Sequence, residues 1–123
     1  MEFSRAIEKF KKEMDEEVLA GVNEVIDTVY TYLVDNAAVD TGAFKANMNV
    51  SMGVPDTSFE PNVDKAGHMP PPKMTMPYHK YFISNGAPYG WRLEYGWSDK
   101  QPYALFHRAA GLANAKYRYV KQT

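Results

Sequence analysis

Residues 47–54 read NMNVSMGV, with Met48, Val50, Met52 and Val54 alternating against Asn47, Asn49, Ser51 and Gly53. That is the period of a strand with one face on a core, because successive strand side chains point to opposite sides. Upstream the period is different. From Phe3 onward Ile7, Phe10, Met14, Val18, Val22, Val25, Val29 and Leu33 recur at steps of three and four, which predicts one long helix. The change of period at residue 47 separates an α+β chain from a purely helical bundle.

Working outward from that change, the helix is the first feature with a consequence beyond the fold. Some thirty residues at ~1.5 Å each make about 45 Å of helix. A compact chain of this length has a diameter of only about 35 Å. Either the helix bends, for which Gly21 is the natural place, or one end projects with an apolar stripe that needs a neighbour. Asp35 and Asn36 are expected to end it, Asn by its tolerance of the left-handed conformation. Asp40-Thr41-Gly42 then reads as the cap of a short second helix.

Downstream of the strand, residues 55–77 hold six of the eight prolines. They predict a long loop, of the length that in compact domains is functional or disordered. Its last residues, Met74, Met76 and Tyr78, alternate again. Residues 79–84 predict a second strand with Tyr81 and Ile83 on one face. Pro88 opens a short helix over residues 88–95 that Gly96 closes. A final helix is expected to begin near Pro102, with Tyr103, Phe106, Ala110, Ala113, Tyr117 and Val120 at helical spacing and Gly111 weakening its middle. The expectation is one domain over residues 1–123, of α+β class. A long N-terminal helix and a C-terminal helix pack on a small antiparallel sheet that carries a long proline-rich loop.

Composition narrows the function. A net charge of −1 lacks the cationic surplus of a protein that wraps phosphate backbones. The absence of cysteine removes disulfides, thiolate metal sites and a cysteine nucleophile, and fits a reducing compartment. The charged opening, MEFSRAIEKFKKEMDEE, does not read as a signal peptide, and no run of eighteen apolar residues predicts a membrane span. His68, His79 and His107 sit at no metal-ligand spacing, so surface or loop histidines are expected and no cofactor or metal. Asp40, Glu94 and Asp99 could form a carboxylate pair, but caps and salt-bridged acids explain them with less. With no nucleophile elbow and no phosphate-cradling glycine loop, the chain reads as a non-enzyme. The C-terminal KYRYVKQT mixes cations and rings in the manner of a single-strand binder, although a helix C-terminus attracts cations through its dipole in any case.

Residues 83–97, ISNGAPYGWRLEYGW, crowd rings and turn-makers together. A short helix has room for one buried stripe, for which Tyr89 and Leu93 are the candidates. Trp91, Arg92 and Trp97 are left for contact with another protein, the residue types that anchor interfaces. Glu94, once drawn from water in such a contact, would need a cation such as Lys45, Arg92 or Arg108.

The order of these elements, with VDTGAFKAN at residues 39–47 and YFISNGAPYGWRLEYGWS at residues 81–98, resembles the tail-completion or neck proteins of long-tailed bacteriophages, the HK97-type tail-component family. The resemblance is carried by Asp40, Thr41, Gly42 and Lys45, then by Asn85, Pro88, Tyr89, Glu94, Tyr95 and Gly96. A lysine stands at 45 where that family often has arginine. The resemblance implies a structural virion protein assembled in the host cytoplasm as a homo-oligomeric ring of six subunits. The ring would lie in the neck between the head-completion or connector protein and the tail terminator or tail tube. DNA would pass through without sequence recognition, and no membrane is involved. The alternatives are a tail terminator ring capping the tube or, from another class, a small single-stranded nucleic-acid-binding protein. A head-to-tail ring needs two different complementary patches on each subunit, and the long helix and the residue 83–97 segment are the two expected.

Overall fold

The computed structural model describes residues 2–37, 43–60, 71–88, 94 and 104–122. Helix α1 spans Glu2–Asn36, followed by the single turn α2 (Ala43–Ala46), strands β1 (Asn49–Met52) and β2 (Tyr81–Ser84), and helix α3 (Leu105–Gln122). The α+β class and the expected order of long helix, small antiparallel sheet and C-terminal helix are what the structure has.

The core forms where the second half of α1 meets α3 and the α2 turn. Ile26, Val29, Tyr30, Leu33, Val34 and Ala37 come from or just after α1, Phe44 and Met48 from α2 and the turn behind it, and Leu105 and Ala109 from α3. Leu33, Val34 and Leu105 are the largest side chains excluded completely from water. The sheet closes one side. β1 and β2 pair antiparallel with Val50 opposite Ile83 and Met52 opposite Tyr81, and Val50 and Ile83 rest against the core. A two-stranded ribbon is not stable alone, so the helices hold it as much as it covers them.

The first strand is shorter than its alternation predicts, for a reason at each end. Asn47 and Met48 belong to the turn that closes α2, their amides donating to Phe44 O and Lys45 O at 3.2 and 3.5 Å. At the other end Gly53 takes φ 86°, a left-handed conformation that costs glycine little, and its amide donates to Lys80 O at 2.8 Å. The chain therefore leaves the sheet before Val54, which is 71% exposed instead of core-facing. β2 likewise starts at Tyr81 rather than His79, because Tyr78 at φ 63° breaks the extended run. The alternation at Met74, Met76 and Tyr78 marks no strand: Met76 and Tyr78 are exposed.

Two further expectations are corrected. Asn36 is not left-handed; it is the last helical residue, and its side-chain amide donates back to Tyr32 O at 2.9 Å. α3 begins at Leu105 rather than near Pro102, since Ala104 at φ 56° cannot be helical. Gly111 does not break α3, which runs through it. Helix α1 is continuous through Gly21, and 35 residues make it about 52 Å long.

A candidate assembly surface

Burial along α1 falls in one direction. Residues 26, 29, 30, 33 and 34 are buried, those from 18 to 25 are mostly half-buried, and every residue from 4 to 14 is exposed. Ile7, Phe10 and Met14 are 52%, 62% and 43% exposed. They continue the stripe that, about three turns later, packs the core, so the apolar face does not end where the domain does. An isolated apolar side chain on a surface needs no explanation, but three in one helical row form a contact face without a partner in the chain.

Next to this stripe the same face of α1 becomes the floor of an apolar groove of about 970 Å³. Val18, Val22 and Val25 form the floor, Tyr81 and Ile83 one wall, and Phe106, Ala110 and Ala113 of α3 the other. The groove exists because α3 presents alanines there: their short side chains let the helix cross α1 without filling the angle between them. Its rim is acidic at Glu17 and Glu24. Glu24 also pairs with Lys116 of α3 at 2.8 Å, a half-exposed bridge worth at most about 1 kcal/mol. That bridge engages the first cation of the KYRYVKQT segment within the chain itself.

The proline-rich loop is fastened at both described ends by asparagine side chains that imitate strand pairing. Asn47 Nδ2 donates to Glu60 O at 2.9 Å while Glu60 N donates to Asn47 Oδ1 at 2.8 Å. Asn23 does the same for Met74, at 3.0 and 2.7 Å. From that clamp the chain runs back along α1 to Tyr78, whose hydroxyl lies near the Asp15 carboxylate. Four extended residues cover roughly 13 Å and the eight helical residues from 23 to 15 roughly 12 Å, so strap and helix match in length. Burial, then Asp15, raises the Tyr78 hydroxyl above its ordinary value, though the 63% exposed side chain gives this no weight in stability. The strap runs beside the polar flank of α1, Thr75 and Pro77 facing Asp15, Lys12, Lys11 and Glu8 across a shallow cleft, and leaves the apolar row Ile7, Phe10 and Met14 exposed. On the other side residues 56–58 lie over the sheet end, where Asn49 Nδ2 and Ser84 Oγ both donate to Asp56 O. A Cβ on Gly86 would strike the Thr57 backbone there, so glycine is required for close approach and not for a left-handed turn.

Of the residues picked out from sequence, Asp40, Thr41, Gly42, Tyr89, Leu93, Tyr95, Gly96 and the contact candidates Trp91, Arg92 and Trp97 lie outside the described residues, as does His68. His79 and His107 are exposed. The described ones perform structural work. Asn85 Nδ2 donates to Phe44 O at 2.7 Å and Asn85 Oδ1 accepts from Ala87 N at 3.0 Å, so the two segments that carry the resemblance are bonded to each other. Lys45, beside Phe44, is only 8% exposed, and Pro88 follows as an exposed turn residue.

Glu94 has a role that the sequence reading missed. Its two carboxylate oxygens accept from Phe106 N at 2.8 Å and His107 N at 3.1 Å, and its carbonyl accepts from Ala104 N at 2.7 Å. These are the free amides of the first turn of α3, which a capping side chain normally satisfies. Ala104, at the cap position, has no side-chain oxygen to offer, and Glu94 supplies a carboxylate from ten residues upstream. The expectation that Glu94 needs a cation is thus replaced: a carboxylate at the positive end of a helix is matched by amides and dipole. A helix start without Ser, Thr, Asp or Asn at residues 102–104 was the available signal.

Among the described residues no three His, Asp or Glu side chains converge as a metal-ligand group, and no helix is long and apolar enough to cross a membrane. Compared with known protein families, curated proteins and solved structures, the chain matches none.

Proposed function

We propose that this chain is a non-enzymatic structural subunit of a tailed-phage virion, acting in the neck as a tail-completion protein that joins the DNA-filled head to the tail. The sequence resemblance supplies the class. The observation that carries the assembly half of the reading is the exposed apolar row Ile7, Phe10 and Met14, on a helix that continues past the core of its own domain. A row of that kind is a binding face that another subunit must cover.

The subunit is a member of a homo-oligomeric ring, hexameric by the resemblance, with neighbouring head-completion and terminator or tube proteins above and below. Its core, strap clamps and capped α3 form the body of the subunit, and α1 extends from that body as an arm. DNA passes through the channel unread, which suits a chain of net charge −1. Deleting the gene from the phage tests this. Filled heads and separate, finished tails are the expected products, and normal joined virions contradict it. Tails of uncontrolled length would instead identify a terminator ring.

A further inference from the structure

We propose that the groove between α1, β2 and α3 is the receptor for residues 4–14 of α1 from a second copy of this chain. The inference rests on the subunit half of the reading above and not on the phage neck. The arm cannot cover its own stripe: it is the unbroken continuation of the helix that floors the groove, so it does not fold back into the groove of its own molecule.

Charge identifies the occupant. Residues 2–12 of α1 carry four basic side chains, Arg5, Lys9, Lys11 and Lys12, against two acidic ones, whereas residues 13–36 carry seven acidic and no Lys or Arg. Helix stability does not explain this, because the helix dipole favours acids near the N-terminus and cations near the C-terminus, and α1 has no basic residue in its last turn. The polarity runs against the helix and in favour of a contact between copies. A basic arm with an apolar row meets an apolar groove with the acid Glu17 on its rim, Glu24 beside it being already paired with Lys116.

Size sets the strength. Eleven residues of helix are about 16 Å long, and covering one side of them buries on the order of 1,000 Å² in total, the scale of a transient contact. One arm in one groove is therefore weak in dilute solution, and an assembly in which every copy gives an arm and receives one is much stronger.

The absence of cysteine makes the test direct. Full-length chains carrying Phe10→Cys are mixed with chains carrying Ala110→Cys and oxidised, helical content being checked by circular dichroism. Both positions are exposed, so neither change disturbs the core. A mixed disulfide between the two variants is expected, in several-fold excess over that from Lys9→Cys, which lies on a different face of the arm. Val22→Cys in place of Ala110→Cys repeats the test on the groove floor. Adding Lys11→Glu and Lys12→Glu to the Phe10→Cys chain is expected to cut the yield several-fold. Phe10→Cys cross-linking only to itself, equal yields from positions 9 and 10, or no mixed product with either groove variant overturns the proposal. These results leave the phage reading intact, just as normal virions from a deletion would leave the cross-link intact.

Discussion

Residues 4–14 and residues 26–36 belong to the same helix and follow the same apolar period, yet every one of the first is exposed while the second supplies five of the ten buried apolar side chains. The period states only that one face of a helix is meant to be covered. What covers it is decided elsewhere. For the second stretch the cover is α3, α2 and the sheet; for the first, the strap from Met74 to Tyr78 comes up only beside the polar flank at Glu8, Lys11 and Lys12 and leaves the row Ile7, Phe10 and Met14 exposed.

The contrast is broken most strongly by substitution at matched positions. Leu33→Ala, at 1% exposure, is expected to destabilise the fold by about 2–5 kcal/mol in denaturant unfolding. Phe10→Ala, at 62% exposure, should change the stability of the dilute protein by no more than about 0.5 kcal/mol. Equal losses at the two sites would mean that the arm packs on its own domain.

Smaller effects sharpen where the boundary lies. Asn23→Ala leaves the Met74 amide and carbonyl without their partner and should cost roughly 1–3 kcal/mol, with amide exchange accelerating along residues 71–78. A strap that stays protected in that variant is held by something other than the clamp. Glu94→Ala uncaps the helix that covers the closed half of α1, for about 1 kcal/mol, and faster exchange at Phe106 and His107 is the local signature.

The smallest effect is in alkali. Burial holds the Tyr30 hydroxyl above its ordinary value of 10.0, so above that pH the unfolded chain loses a proton that the folded chain keeps. Stability from this group is complete below pH 10 and falls as pH rises towards the folded value. Tyr30→Phe should flatten that fall above pH 10, and an unchanged slope would place the loss in other groups.

These differences also explain what could be read in the sequence. The long helix, the C-terminal helix and the two short strands are local patterns, and the structure has them, while the short helix expected over residues 88–95 falls mostly outside the described residues. The strand ends depended on Gly53 and Tyr78 adopting positive φ, which a period does not encode. Asn23 and Asn47 looked like ordinary polar positions, because their partners lie 51 and 13 residues away. Glu94 was read as a charge in search of a cation for the same reason: its helix start is distant in sequence and its own cap position is an alanine. As for the site, length alone left a choice between a bend at Gly21 and a projecting end, and the structure has α1 unbroken through Gly21 with its first turns exposed. The groove did not, since it depends on how α3 crosses α1.

The central claim, that the first turns of α1 form a docking surface for another copy, is tested most directly by hydrogen exchange measured against protein concentration. Residues 26–36 should be strongly protected at every concentration, and residues 4–14 weakly protected when dilute and progressively more so when concentrated. Protection of residues 4–14 that is already as strong in the dilute monomer as that of residues 26–36 would contradict it.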